Sequence, residues 1–367
     1  MSKIDKLTIK GFKSIRSLDQ FQLNNLNVLI GANGVGKSNF VGYFKMLHEL
    51  VEGRLQLWCS KQGGADRVLS YGVKETSALL SVIRFGDNGY AAELISTADS
   101  AFTFNQEKLY FDGPYFGVTE PNLGSGHKES NLKAETKGGT SAKVAQFCYE
   151  TISGWKVFHF HDTSDTAAMK RIGSLHDNDY LRTDASNLAA YLYKLSKDNT
   201  DVYNQICKTV RLAVPFFDDF VLKPTQLESG EEQIRLLWRQ ANSDYALWPS
   251  QLSDGSIRFI CLVTALLQPC PPSTIIIDEP ELGLHPYAIT LLGALLRSAS
   301  LRMQVIVSTQ SVPLLNEFEL DDLIVVERED GASIFKRLDA EKFNLWLEDY
   351  SVGELWEKNL LGGRPSK

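Results

Sequence analysis

Residues 31–38 read GANGVGKS and fit the pattern G-x-x-x-x-G-K-[ST] of a phosphate-binding loop. Gly31, Gly34 and Gly36 let successive backbone N–H groups face one concavity that can hold phosphate oxygens. Lys37 is spaced to reach β- and γ-phosphates and Ser38 to ligate Mg²⁺, with Asn33 and Asn39 in the same run. A helix starting here adds its positive end. A second run, IIIDEP at 275–280, is apolar and ends in two acids. Asp278 would join Ser38 on Mg²⁺, and Glu279 would take a proton from an attacking water. Taken alone, such acids also read as a solvated strand end or a cap for the next helix. Beside the glycine loop they form equipment for binding ATP with Mg²⁺ and cleaving it to ADP and phosphate.

Two more runs join this chemistry. LSDGS at 252–256 lies just upstream of the acid pair and opens an apolar helix. It resembles the signature sequence of ABC ATPases. Ser253 and the Gly255 amide, at a helix N-terminus, suit a γ-phosphate. They also read as a serine N-cap with a glycine turn. The order glycine loop, signature, acid strand favours the first reading. VSTQS at 307–311 ends a strand after the acid pair. Related ATPases carry a switch residue there, often His, where this chain has Gln310. Glutamine does not titrate, so Gln310 is expected to position water, which makes the catalytic set Glu279, Lys37 and Gln310. The plain alternative is a polar strand end.

Elements must hold these residues in place. Residues 7–10 alternate as a half-buried strand does, and Leu26–Ile30 reads as a short strand running into the glycine loop. Phe40, Val41, Phe44, Leu47 and Val51 recur at helical spacing, giving strand, glycine loop, helix. Residues 78–85 and 90–95 read as strands around a Gly-Asp-Asn-Gly turn. The polar stretch 124–143 reads as a long mobile loop. Residues 185–214 are helical by pattern until Pro215, and 233–238 reads as a strand. In the last third, 256–267 reads as a helix, 274–277 as a buried parallel strand, 288–298 as a helix, and 304–308 and 323–327 as two more strands. The expected division is an N-lobe with the glycine loop (1–100), an insert forming a lid or arm (101–235), and a C-lobe with the signature, acid strand and switch strand (236–367).

The motifs together resemble one family. The run GANGVGKSN at 31–39, LTIKGFKS at 7–14 and PELGLHP at 280–286 look like the SMC, RecF and OLD-type ATPases more than the transporter ATPases. GGAD at 63–66, FHFHD at 158–162, NLAAYL at 187–192 and the tail from Trp356 through LGGRP at 361–365 resemble compact bacterial RecF-like ATPases. The resemblance covers both ends of the chain and hardly touches 100–145. It implies an α/β fold, an ABC-type P-loop NTPase head split by a mixed, partly helical insert. It also implies a homodimer or higher oligomer packed head to tail, with Ser253 and Gly255 reaching the partner's ATP. Asp254 replaces the first signature glycine and puts an acid near phosphate. Gln62 is a candidate for the Q-loop glutamine. Nucleic acid and a separate nuclease effector are the expected partners, with anti-phage defence as the expected setting. A repair clamp without a nuclease is the alternative, and a transporter subunit or scaffold a third reading.

Composition sets the frame. The chain has 367 residues, 43% hydrophobic and 23% charged, enough for a full core. A net charge of −7 argues against a surface basic all over, though not against a local patch. Five scattered cysteines without a CxxC pair point to a reduced, cytoplasmic chain, with the cysteines as small buried hydrophobes. No apolar run reaches a membrane span, and MSKID does not open a signal peptide. His159 and His161 read either as two ligands on one strand face or as packed histidines, and His285 as a residue near the dimer seam. Lys3, Lys6, Lys10, Lys13 and Arg16, and separately Lys128, Lys133, Lys137 and Lys143, read as DNA-backbone contacts or as solvated faces. LIVVERED at 323–330 begins like a TOPRIM strand, but no Asp-x-Asp follows, so it reads as a terminal ATPase strand.

Overall fold

The computed structural model describes residues 3–113 and 117–363. Arg364 and Pro365 of the tail motif lie outside the described residues. In chain order the main elements are β1 (Lys6–Phe12), β2 (Ile15–Gln22), β3 (Leu26–Ile30), α1 (Lys37–Val51), α2 (Leu55–Lys61), β4 (Ala78–Phe85), β5 (Asn88–Ser96) and β6 (Phe102–Gly113). Then come α3 (Ala142–Ser153), β7 (Lys156–Phe158), α4 (Leu188–Asp198), α5 (Thr200–Ala213), α6 (Asp254–Leu267), β8 (Thr274–Asp278), α7 (Pro286–Ser300), β9 (Gln304–Thr309), β10 (Leu323–Glu329) and β11 (Ala332–Arg337).

A central sheet runs β11-β10-β3-β9-β8-β7, parallel from β10 to β7 with β11 antiparallel at one edge. Its residues alternate between two cores. Val28, Ile30, Ile275, Ile277, Val305 and Val307 join the core built with α4 to α7. Leu29, Ile276, Ile306 and Ile324 join the other, with α1, α3 and a second sheet. Burial on both faces explains why these strands read as unbroken apolar runs. The second sheet is antiparallel, β2-β1-β4-β5-β6, with short strands Gly117–Thr119 and Asn122–Gly124 beside β6. Residues 101–235 are shared among these bodies. β6 extends the antiparallel sheet, β7 completes the central one, and α5 packs against α6.

Several local expectations change. The helical pattern over 185–214 breaks into α4 and α5 at Asn199, whose φ of −138° and ψ of 56° leave the helical region. The strand expected at 233–238 is two strands in two sheets, Glu232–Ile234 beside Gly173–Ser174 and Leu237–Gln240 beside Phe217–Val221. The stretch 124–143 is not all loop. It holds the helix Leu132–Glu135, anchored by fully buried Leu132, and the start of α3. The strand β7 stops at Phe158, so His159 and His161 do not share a strand face. Four cysteines are buried as expected, whereas Cys270 is exposed.

Candidate active site

The parallel register sets the ends of β3, β9 and β8 side by side, with Ile30 opposite Thr309 and Ser308 opposite Asp278. The loops that follow carry the three motifs, at the strand ends where open α/β sheets bind ligands.

The glycine loop is held by close packing. Gly36, with φ of 116°, precedes α1, and a Cβ there would lie 2.0 Å from Ser333 Oγ on β11. Ser333 bonds Ser14 Oγ at 2.6 Å, and Asn39 Nδ2 donates to the same Ser14 Oγ at 2.7 Å. Asn39 therefore ties the loop to the β1–β2 turn. Ala32 N–H donates to Gly363 O at 2.8 Å, so the chain's far end braces the loop. Gly363 is held in turn by Glu327 Oε1, which accepts its N–H at 3.0 Å. Lys37 is buried, and its Nζ donates to Gly31 O at 2.7 Å and Ala32 O at 3.0 Å. Burial lowers the Lys37 pKa, while Glu279, Asp278 and Glu281 pull it back up. Asn33, Gly34 and Ser38 are exposed.

The acid strand meets the loop through one side chain. Gln310 Nε2 donates to Glu279 Oε1 at 2.7 Å and to Asn33 Oδ1. Glu279 adopts φ of 43°, a left-handed conformation that a non-glycine residue holds at a cost of about 1–3 kcal/mol, and such strain gathers at functional sites. Its N–H donates to Ser308 O at 2.9 Å. Asp278 accepts from Ser308 Oγ. The donor set suits a hard cation, with an exposed Ser38 hydroxyl at the head of α1 and the Asp278 carboxylate at the end of β8.

Sequence reasoning missed three residues. Glu281 is buried, and its Oε1 accepts from Thr309 Oγ1 and from Gln310 N–H at 3.1 Å. Its Oε2 has no hydrogen-bond partner among the described residues, and burial raises the Glu281 pKa. Arg258 on α6 donates from Nε to Phe160 O at 2.8 Å, from Nη2 to His161 O at 3.1 Å, and from Nη1 to Leu282 O. It lashes the signature helix to the loops after β7 and β8. Gly363 is the third. The signal for all three was their place inside or beside a motif, Glu281 in 280–286, Arg258 beside 252–256 and Gly363 in 361–365, but the partners are distant in sequence.

Ser253 caps α6, its Oγ accepting Ser256 N–H at 3.1 Å, and is exposed. A Cβ on Gly255 would lie 2.1 Å from Gly283 O, so close packing on the loop after β8 already requires glycine there. Asp254 Oδ1 lies 3.8 Å from Lys170 Nζ. Among the described residues no hydrogen bond joins 253–256 to 31–39. His285 caps α7, Nδ1 accepting from Tyr287 N–H at 3.3 Å. Gln62 accepts from Lys13 Nζ at 3.1 Å, and none of the hydrogen bonds among the described residues ties it to Asp278 or Glu279. β10 lies inside the central sheet, and its Glu327 pairs with Lys336 at 2.8 Å. No helix among the described residues is long and apolar enough to cross a membrane.

The fold is that of an ABC-type, SMC-like ATPase head. The SMC head bound to the C-winged helix domain of ScpA matches with a TM-score of 0.60 at 14% identity, over 92% of this chain and 99% of that one. The Smc head with an extended coiled coil, bound to the C-terminal domain of ScpA derived from Pyrococcus furiosus, gives 0.57 at 15% identity, over 95% and 99%. At such identities the likeness is one of fold. Residues 120–316, more than half of the chain, match the family described as "AAA domain, putative AbiEii toxin, Type IV TA system", and the chain belongs to that family. No curated protein matches the sequence.

Proposed function

We propose that this chain is a cytoplasmic Mg²⁺-dependent ATPase that closes as a head-to-tail homodimer on ATP. The observation that carries this reading is the Gln310 amide spanning Asn33 of the glycine loop and Glu279 of the acid strand. Lys37 offsets phosphate charge. Ser38 and Asp278 would hold Mg²⁺, which would supply charge neutralisation at the phosphoryl oxygens. Glu279 receives the proton of the attacking water, and Gln310 fixes the carboxylate that does so. Ser253, exposed at the start of α6, completes the partner's site, with the Gly255 amide beside it. The Asp254–Lys170 pair tempers the acid that stands in the signature.

Closure would let the dimer sense or clamp nucleic acid and control a separate effector such as a nuclease, in anti-phage defence. That reading rests on the resemblance to OLD-type ATPases and on the basic clusters. Ion pairs of Lys10 with Asp19, Lys128 with Asp99 and Lys133 with Glu52 narrow the surface left for a phosphate backbone. A solved SMC head carries a winged-helix domain of ScpA, which fits a head that engages a protein effector.

Light scattering on Glu279→Gln protein tests the mechanism. ATP with Mg²⁺ should convert a smaller species to a dimer, Ser253→Arg should prevent it, and duplex DNA should shift the equilibrium. An ATP-independent mass together with full hydrolysis by Ser253→Arg would refute the composite site.

A further inference from the structure

A second concave site lies beside the first. Between α1, α2 and β7 is a pocket of about 360 Å³, lined by Lys45, His48, Leu57, Trp58, Lys61, Trp155, Lys156 and His159 among others. Lys45 lies eight residues beyond Lys37 on α1, about 12 Å along the helix at 1.5 Å per residue. The pocket is therefore on the flank of that helix, with Lys45 and His159 near enough to feel the Asp278 carboxylate at the end of β8.

Its charge is one-sided. Lys45, Lys61 and Lys156 make no ion pair with a carboxylate among the described residues, and Lys156 lies over the Tyr180 ring at 4.4 Å. The carboxylate in the lining, Glu49, is engaged by Arg54 through bonds of 2.7 and 3.0 Å. Burial lowers the pKa of Lys45 and of Lys156, against the opposing pull of Asp278 on the first and of Glu52 on the second, neither of which forms an ion pair with them among the described residues. Of the residues in the lining, His48 and Trp155 each bury one ring nitrogen, Nδ1 and Nε1, without a hydrogen-bond partner among the described residues. Leu57, 54% exposed, and the Trp58 ring supply an apolar wall.

We propose that this pocket binds a small phosphorylated ligand of mononucleotide size. Its phosphate would sit among Lys45, Lys61 and Lys156, and its ring or apolar part against Leu57 and Trp58. Small-molecule pockets span about 300–1,000 Å³, so this one suits a single nucleotide rather than a polymer.

The test is isothermal titration calorimetry with AMP, and separately with inorganic phosphate. The proteins are the wild type, Lys37→Ala, Lys61→Glu and Lys156→Glu. AMP is expected to bind saturably to the wild type and equally to Lys37→Ala, which disables the glycine loop. Each pocket variant should bind AMP about tenfold more weakly, as expected for loss of a charge-assisted contact, with ATP affinity unchanged. Loss of AMP binding in Lys37→Ala would place the ligand in the glycine loop and overturn the proposal. So would equal binding by the pocket variants, no heat from either probe, or binding seen only with a 5′-phosphorylated oligonucleotide. If a charge reversal fails to bind ATP, Lys156→Gln replaces it and must show the same selective loss of AMP.

Discussion

Glu279 is poised by its backbone as well as by Gln310. A general base contributes typically 10²–10⁴-fold to a rate. Glu279→Gln should therefore retain ATP binding and lose at least about a hundredfold in turnover, read by a phosphate-release assay. The left-handed φ of 43° adds a second expectation. Glu279→Gly should be more stable than Glu279→Ala by about 1 kcal/mol in urea unfolding, because glycine accepts that conformation without strain. His159 offers a pH test. Burial, with Lys45 and His161 nearby, holds its pKa down to about 4 from 6.5. Between those values the unfolded chain takes up a proton that the folded chain resists. Stability should fall as pH drops from about 6.5 towards 4 and be insensitive to this group above that window. His159→Asn should flatten that part of a Tm–pH curve.

At the scale of elements, the site depends on how α6 is fastened. Arg258 donates to three backbone carbonyls in two loops, with little exposure to water. Hydrogen bonds to charged groups are worth about 1.5–3 kcal/mol each, and unpaired buried carbonyls add to the loss. Arg258→Ala should cost about 3 kcal/mol in denaturant unfolding and release the loop that carries Glu279. Gly255 lies in the same contact. Because Gly283 O stands 2.1 Å from the place of a Cβ, Gly255→Ala must push the α6 N-terminus off the loop after β8. Overpacking of this kind costs about 1–3 kcal/mol. Hydrolysis should fall as well, since Ser253 moves with the helix. An unchanged melting temperature in Gly255→Ala would contradict the close contact.

The whole molecule brings three sequence-distant loops to one edge of a sheet buried on both faces. If the working unit is a head-to-tail dimer, each site draws on both chains. Lys37→Ala and Ser253→Arg should each be inactive alone. Mixed in equal amounts, they should regain activity approaching about a quarter of wild type, because statistical mixing of a two-fold dimer leaves one intact site in half the dimers. No recovery from subunits shown to exchange would mean that each head works by itself.

The glycine loop, the acid strand and the switch strand were legible in the sequence, since each is a local run with its own period and turn residues. Leu26–Ile30 has the bounds expected, and the helix after the glycine loop followed from its apolar spacing. The break at Asn199 was hidden, because α4 and α5 carry apolar faces that continue one pattern while a single backbone conformation divides them. The split of 233–238 was hidden because pairing partners come from Gly173–Ser174 and Phe217–Val221. Glu281, Arg258 and Gly363 gain their meaning from contacts across about 30 to 330 residues of chain. The sequence by itself specified the nucleotide chemistry, because phosphate and metal recognition need fixed residue types at short fixed spacing. Which loops brace one another, and where an unpaired basic pocket opens beside α1, followed from packing, because those properties belong to surfaces that meet only when the chain is folded.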